Sequence, residues 1–353
     1  MKVLFLTRSF YPNVGGVEKH IYKLSEVLLR NDIEVTIVTE KSYSNYYHSD
    51  FPSANNLGSN QINVIEIEPG RNDWFKKFRI WKELAFKISY IKNADIVHCH
   101  DVYFWYIPFR LLFPLKRNFV TFHGYEGNKI PNFKAVFMHK LAEFLSNGNI
   151  CVGNFLEKWY GTKPDIVTYG AVDKKLLQNK KKDNIKIKKG IFIGRLEYET
   201  GILEYLKAIS NIKKEGINIQ LDVFGNGSLK RKAIRFAKIN ELSVNFKGAV
   251  INLENQLTGY NFAFVSRYLA ILEAMAIKLA VLAHYNNKIK KDYLEMTPFA
   301  NYITISNDPG IIAKEVKERL ENKDERVEKA YQWAKKQTWE NLAKIYLRLW
   351  NSY

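Results

Sequence analysis

Cysteine is scarce in this sequence, and no stretch of it is both long and apolar. Cys99 and Cys151 are the two cysteines in 353 residues. That is too few for a disulfide scaffold, and they lack metal-ligand spacing, which fits a reducing compartment. The longest apolar run, Val102 to Phe109, is interrupted by Pro108 and ended by Arg110, well short of the roughly 20 residues a membrane span needs. Near the N-terminus, Val3-Leu4-Phe5-Leu6 is too short for a signal-peptide core and reads as a buried strand. GxGxxG is missing as well, so a nicotinamide-binding fold lacks its fingerprint. No solenoid repeat is present. These absences predict a cytoplasmic protein that at most lies on a membrane.

Acidic residues are in deficit, with 36 Asp+Glu against 54 Lys+Arg, a net charge of +18, and aromatics make up 14%. Such a surplus fits either an anionic partner (nucleic acid, membrane surface or phosphorylated ligand) or a solvated, lysine-rich surface. At 46% hydrophobic and 25% charged, the composition is that of a globular chain, and its length suits two domains.

Short apolar runs alternate with helical patterns through the first half. Lys2–Thr7, Glu34–Thr39, Val64–Ile67, Ile96–Val97 and Phe119–Phe122 read as strands. Between the first two, Glu18–Asn31 carries Ile21, Leu24, Val27 and Leu28 on one helical face. Continuous apolar strands separated by helices imply a parallel sheet covered on both faces. A lysine-rich stretch, Lys174–Lys189, reads as a linker, and a second alternation begins at Gly190. The predicted organisation is an N-terminal lobe over 1–173, a basic joint over 174–189, a second lobe over 190–335 and a C-terminal helix over 336–353.

Within residues 1–170 the net charge is +5, and Arg71–Lys92 alone supplies all of it. Trp74, Phe78 and Trp81 fall at helical spacing there, with Lys77 among the cations between them. That pattern suits a helix lying at a membrane interface through Trp74, Lys77 and Trp81. It equally suits a helix that packs its aromatic face on the sheet and solvates its lysines.

Candidate ligand-binding residues cluster after the strands. Gly15-Gly16 separates the first strand from its helix, where backbone approaches a ligand closely and free N–H groups face phosphate. His98-Cys99-His100-Asp101 and Thr121-Phe122-His123-Gly124-Tyr125-Glu126-Gly127 follow strands Asp95–Val97 and Phe119–Phe122. Carboxyl ends of parallel strands are where open α/β sheets bind ligands. These histidines match no known metal-ligand spacing. In the second half, Arg195 follows a strand and precedes a helix, which fits a diphosphate clamp. Gly225-Asn226-Gly227 is another strand-then-turn. Glu273 reads as a carboxylate just inside a helix, held there by the dipole or accepting hydrogen bonds from a sugar or ribose diol.

In this order, Gly15-Gly16-x-Glu18, Asp95-Ile96-Val97-His98-x-His100-Asp101, Thr121-Phe122-His123-Gly124, Gly194-Arg195-Leu196, Gly225-Asn226-Gly227, Leu272-Glu273-Ala274-Met275-Ala276 and Trp339-Glu340 resemble the family 4 glycosyltransferases over nearly the whole chain. The resemblance implies the α/β GT-B fold. Two Rossmann-like, doubly wound lobes then face a cleft, and the last helix crosses back to the first lobe. It implies a retaining, metal-independent hexosyltransferase that uses a UDP- or GDP-sugar as donor and needs no cofactor. The acceptor would be a hydroxyl of a membrane-presented glycan or lipid. By residue, it implies Glu273 on the ribose hydroxyls, and Arg195 with Thr200, Gly225 and the helix start at Leu269 on the donor side. Gly15 and Gly16 would close over the phosphates, His123 would lie near the transferred sugar, and His100 and Asp101 would be acceptor-side.

Two departures stand out. Thr200 occupies the place of the family's diphosphate lysine. Val265 stands eight residues before Glu273, where the family's first glutamate is expected. Arg267, Lys288, Lys290 and Lys291 are the candidate replacements. The departures motivate an alternative, a degenerate GT-B protein that binds nucleotide or glycan without transfer. A nucleic-acid-directed protein ranks third, because charge alone supports it and no DNA- or RNA-binding module is recognisable.

Overall fold

A computed structural model describes residues 1–13, 15–42, 62–124, 130–178, 188–250, 257, 259–321 and 324–352. The chain divides into two compact units. One comprises Met1–Glu126, Ile130–Thr168 and Trp339–Tyr353, the other Gly127–Lys129 and Tyr169–Thr338.

In the first unit the order is β1 (Lys2–Thr7), α1 (Gly16–Leu29), β2 (Glu34–Glu40), β3 (Asn63–Ile67), α2 (Lys76–Phe86), α3 (Ile88–Asn93), β4 (Ile96–His100), α4 (Tyr103–Leu112), β5 (Arg117–Phe122), α5 (Phe133–Leu145), β6 (Gly148–Val152), α6 (Phe155–Tyr160) and β7 (Ile166–Thr168). All seven strands are parallel, in spatial order β3-β2-β1-β4-β5-β6-β7. β4 and β6 are buried at every position, as strands covered on both faces must be. From β1 the chain moves one way to β2 and β3, then returns to build β4 to β7 on the other side. Right-handed crossovers therefore put α1 on one face of the sheet and α2 to α6 on the opposite face.

The second unit runs α7 (Lys174–Leu177), β8 (Lys189–Ile193), a 3₁₀ turn over Tyr198–Thr200, α8 (Ile202–Lys214), β9 (Gln220–Phe224), α9 (Lys230–Ile239), β10 (Val244–Gly248), β11 (Phe262–Phe264), α10 (Tyr268–Ala276), β12 (Ala280–His284), α11 (Lys288–Glu295), β13 (Thr304–Ser306), α12 (Pro309–Glu321) and α13 (Glu325–Ala334). Its six parallel strands lie in the order β10-β9-β8-β11-β12-β13. Phe192, Tyr205, Phe264 and Leu282 anchor the core between the sheet and α8.

The last helix, α14 (Trp339–Asn351), belongs to the first unit. It buries Trp339, Leu342, Ala343, Tyr346, Leu349 and Trp350 at helical spacing, against a face of α1 that buries His20, Ile21, Leu24 and Leu28.

Two features differ from the sequence-based expectation. The second unit begins at Tyr169 rather than near 190. Tyr169 packs edge-on to Tyr268, Phe299 and Trp333, and Val172 bridges Thr338. Lys174–Leu177 of the expected joint is helical, with Leu176 buried, whereas residues 179–187 of that joint lie outside the described residues. Among the described residues, no helix is long and apolar enough to cross a membrane.

Candidate active site

Strand order reverses between β8 and β11 in the second unit, and ligands of open α/β sheets bind at the carboxyl ends of such strands. Arg195 leaves β8 there and Arg267 leaves β11. Arg195 Nη2 lies 3.0 Å from Glu199 Oε1 and Arg267 Nη2 lies 4.0 Å from the same oxygen. Arg267 is also the N-cap of α10 and makes no side-chain cap bond. Ser, Thr, Asp or Asn is favoured at an N-cap because the helix start is already positive, so an arginine there opposes the dipole. In the first turn, the N–H of Tyr268 is taken by the Tyr293 hydroxyl at 2.9 Å, while those of Leu269 and Ala270 have no helical acceptor. Two guanidiniums and a helix start with one shared carboxylate make a seat for an anion.

Neighbouring loops hold this seat rigidly. Gly225 has φ +144°, and a Cβ on it would lie 1.9 Å from the Gly194 carbonyl oxygen. Gly225 therefore lets the loop after β9 press on the Arg195 loop, where the Leu196 N–H donates to the Asn226 carbonyl at 2.9 Å. Gly201, at φ +79°, leaves room for the His284 ring, 2.5 Å from where its Cβ would be. Thr200, expected among the donor contacts, is turned inward instead. Its hydroxyl lies 2.5 Å from the Arg195 carbonyl and 2.8 Å from that of Glu197, closing the loop.

Of the candidate cations, Lys290 is fully buried, with its ammonium bonded to the Ser266 carbonyl and 4.1 Å from the centre of the Tyr293 ring. Burial and the nearby Arg267 charge hold its pKa well below the usual lysine value. It braces the start of α10, where Tyr268 and Tyr293 stack at 3.9 Å, and offers nothing to a ligand. Lys288 and Lys291 lie exposed on α11. Arg267 is the replacement that reaches the anion seat.

Glu273 is not at the helix start. α10 begins at Tyr268, so Glu273 falls in the second turn, 6% exposed among the buried Ile271, Leu272, Ala274 and Met275. The dipole acts within the first turn, so it cannot be what keeps a carboxylate there.

In the first unit the strand order reverses between β1 and β4, where Thr7 pairs with His100. Gly15 caps α1 and Gly16 is its first residue. A Cβ on Gly15 would lie 2.3 Å from Glu18 Oε2, so glycine here lets Glu18 fold back over the positive end of the helix. β4 runs three residues beyond its expected end, through His98, Cys99 and His100. His100 is therefore buried, not open to an acceptor, and its Nδ1 lies 2.8 Å from Nε2 of the half-buried His123. Asp101 is exposed in the left-handed region at φ +62°, and its Oδ1 accepts the His123 backbone N–H at 2.7 Å. It fixes the turn that presents His123. Tyr125–Gly127 of that motif lie outside the described residues.

His20, which no local motif signals, packs edge-on to His123 at 4.7 Å. The sole trace in the sequence is a polar residue on the apolar face of α1. A buried chain of bonds starts at α14 and reaches it. Trp350 Nε1 donates to His98 Nδ1 at 3.0 Å. An indole only donates, so the His98 proton sits on Nε2 and goes to Thr121 Oγ1 at 2.8 Å. Thr121 Oγ1 then donates to the Tyr346 hydroxyl at 2.9 Å, which donates to His20 Nε2 at 2.9 Å. This direction requires neutral rings, and burial pushes both His20 and His98 down to about 3. Among the described residues His100 Nε2 has no partner. A bare lone pair is less costly than a bare N–H, so His100 donates from Nδ1 to His123 and the His123 proton resides on Nδ1. Tyr346→Phe should strand Thr121 and His20 together and destabilise the protein by about 1–3 kcal/mol. Urea unfolding checks this, and an unchanged midpoint would rule out the chain.

Family models match both halves, Glycosyltransferase Family 4 over residues 14–167 and Glycosyl transferases group 1 over residues 187–322. The chain belongs to the family 4 glycosyltransferases. An uncharacterized glycosyltransferase of Methanocaldococcus jannaschii is 25% identical over 260 residues, 65% of this chain. The match spans 64% of that relative's length. A sucrose-phosphate synthase from Thermosynechococcus elongatus is 15% identical with a TM-score of 0.75 over 100% of both chains. Anabaena HepE, solved in complex with UDP, is 12% identical with a TM-score of 0.74 over 100% of both chains. At such identities the likeness is one of fold, the two-lobe, Rossmann-like GT-B type. In this family 4 chain Thr200 stands in the place of the family's lysine, and Arg267 shares the Glu199 carboxylate with Arg195.

Proposed function

We propose that the protein transfers a sugar, with retention, from a UDP- or GDP-sugar to a hydroxyl of a membrane-presented glycan or lipid. The pairing of Arg195 and Arg267 at the start of α10 carries this reading. Left alone, the arrangement sets cations against a helix dipole, and a diphosphate relieves that opposition. The same two guanidiniums and helix N–H groups supply the positive charge that a leaving diphosphate needs, so the reaction proceeds without a divalent metal. As the sugar–diphosphate bond breaks and the sugar–acceptor bond forms, the acceptor hydroxyl passes its proton to the departing diphosphate oxygen and the nucleoside diphosphate leaves. Glu273 takes the ribose hydroxyls. His123, in the first unit, presents a neutral Nδ1–H donor.

Binding of UDP, GDP and their sugars tests the reading. Arg195→Ala and Arg267→Ala should each weaken diphosphate binding about 10- to 100-fold, the loss expected for one charge-assisted contact. Neither should change binding of the bare nucleoside. If no nucleotide binds the wild type, the function is wrong. If the double variant binds UDP or GDP as the wild type does, the clamp is wrong. Nucleotide binding without any sugar transfer or donor hydrolysis would select a binding protein instead.

A further inference from the structure

α5 is unusual for a helix that covers a sheet. Its sequence is apolar nearly all round, yet Ala142 is its one buried residue. Phe133 and Phe144 are 85% and 83% exposed, and with Phe137 they form one stripe. On α2, Phe75, Phe78 and Phe86 are likewise exposed, and Leu115, just past α4, is 97% exposed. These three helices lie on the same face of the sheet, and α4 touches both of the others. Trp81 Nε1 donates to the Phe104 carbonyl at 3.0 Å, tying α2 to α4, and Arg110 Nε donates to the Leu145 carbonyl at 2.9 Å, tying α4 to α5. Outward-pointing residues on all three therefore share one surface. Trp81, one of the tryptophans expected at a membrane, is half-buried and spent on holding α2 in place.

Charge on this surface has one sign. Its carboxylates are neutralised in pairs, Asp73 with Arg79 at 2.8 Å, Glu83 with Lys87 at 3.4 Å and Glu143 with Lys140 at 3.0 Å. Among the described residues Lys77, Lys82 and Lys134 are exposed and carry no ion pair. Exposed aromatic rings interleaved with unopposed lysines match the boundary of an anionic bilayer, where rings enter the headgroup region and ammonium groups meet lipid phosphate.

We propose that the outer face of α2, α4 and α5 docks on an anionic lipid bilayer. The proposal rests on the reading of a membrane-presented acceptor and assigns the surface that brings the enzyme to it. The test is sedimentation of the full chain with vesicles of phosphatidylcholine alone and with vesicles that also contain phosphatidylglycerol, with nucleotide binding measured in parallel. The wild type should partition at least about 10-fold more strongly to the anionic vesicles, and added salt should weaken this. Phe86→Ser/Phe133→Ser/Phe144→Ser should lower partitioning more than about 10-fold, and Lys77→Glu/Lys82→Glu/Lys134→Glu should abolish the anionic preference. Both variants should bind nucleotide as the wild type does, because all of these side chains belong to the first unit and the anion seat to the second.

No binding to either vesicle, equal binding to both, or wild-type partitioning by the phenylalanine variant would overturn the proposal. So would dimerisation that the phenylalanine variant abolishes while vesicles are ignored, since a second copy would then be the occupant. Vesicle failure with intact nucleotide binding removes the surface alone. Vesicle binding without nucleotide binding removes the sugar-transfer reading and leaves the surface.

Discussion

Glu273→Ala should weaken nucleotide binding about 100- to 1000-fold, the largest loss expected from any single substitution in the second unit. A carboxylate 6% exposed in the second turn of α10 lies beyond the reach of the helix dipole. Two charge-assisted bonds from a ribose diol at about 1.5–2 kcal/mol each, the lower part of their usual range, give that loss. Glu273→Gln preserves volume and one acceptor, so it should fall between wild type and alanine. Isothermal titration with UDP and GDP measures the loss. Pairing each with its 2′-deoxy form shows whether the diol is the partner, because the penalty should shrink when one hydroxyl is missing. Undiminished binding by Glu273→Ala, or equal losses for ribo- and deoxynucleotides, would remove the ribose role. A thermal melt separates loss of contact from loss of fold.

Acidification should unfold the first unit at a pH where most globular domains are still stable. His20 and His98 are buried and neutral, and burial holds both at about 3 instead of 6.5. Below 6.5 the unfolded chain takes up protons that the folded chain refuses. Stability is therefore complete above 6.5, falls as the pH drops from there, and stops falling near 3. At about pH 5 each of the two contributes about 2 kcal/mol of destabilisation. His100 and His123, also held well below 6.5 by burial and by neighbouring histidines, act in the same direction. Together these losses are comparable to the whole stability of a typical domain, about 5–15 kcal/mol. Urea midpoints followed by tryptophan fluorescence between about pH 5 and 8 test this. The midpoint should be level above 7 and drop steeply below 6.5, with Trp339 and Trp350 reporting from α14. A midpoint independent of pH over that range would show that the histidines are not held neutral.

Much of this was legible in the chain itself. Alternating apolar runs and helical patterns located β1 to β5, because burial on both faces demands continuous apolar residues, but not β6, β7, β11 or β13. The glycine pair at 15 and 16, Arg195 and His123 fall at carboxyl ends of strands, as their positions in the alternation indicate. The order of motifs was enough to place the chain in its family. The extent of β4 was not legible, since His98, Cys99 and His100 carry no strand signature. Their inclusion follows from pairing with β1 and β5.

What a residue faces was decided by tertiary structure. The family resemblance put Thr200 in the place of the diphosphate lysine and left Lys290 and Arg267 among its candidate replacements. Packing turned Thr200 into its own loop, sealed Lys290 beneath Tyr293 and left Arg267 beside Arg195. The chain of bonds from Trp350 through His98, Thr121 and Tyr346 to His20 joins residues as many as 326 positions apart. Periodicity and spacing act over a turn or a strand, so they reach as far as most elements, their alternation and the family. Which polar groups are buried, and which others satisfy them, depends on surfaces that meet only when α14 returns to α1.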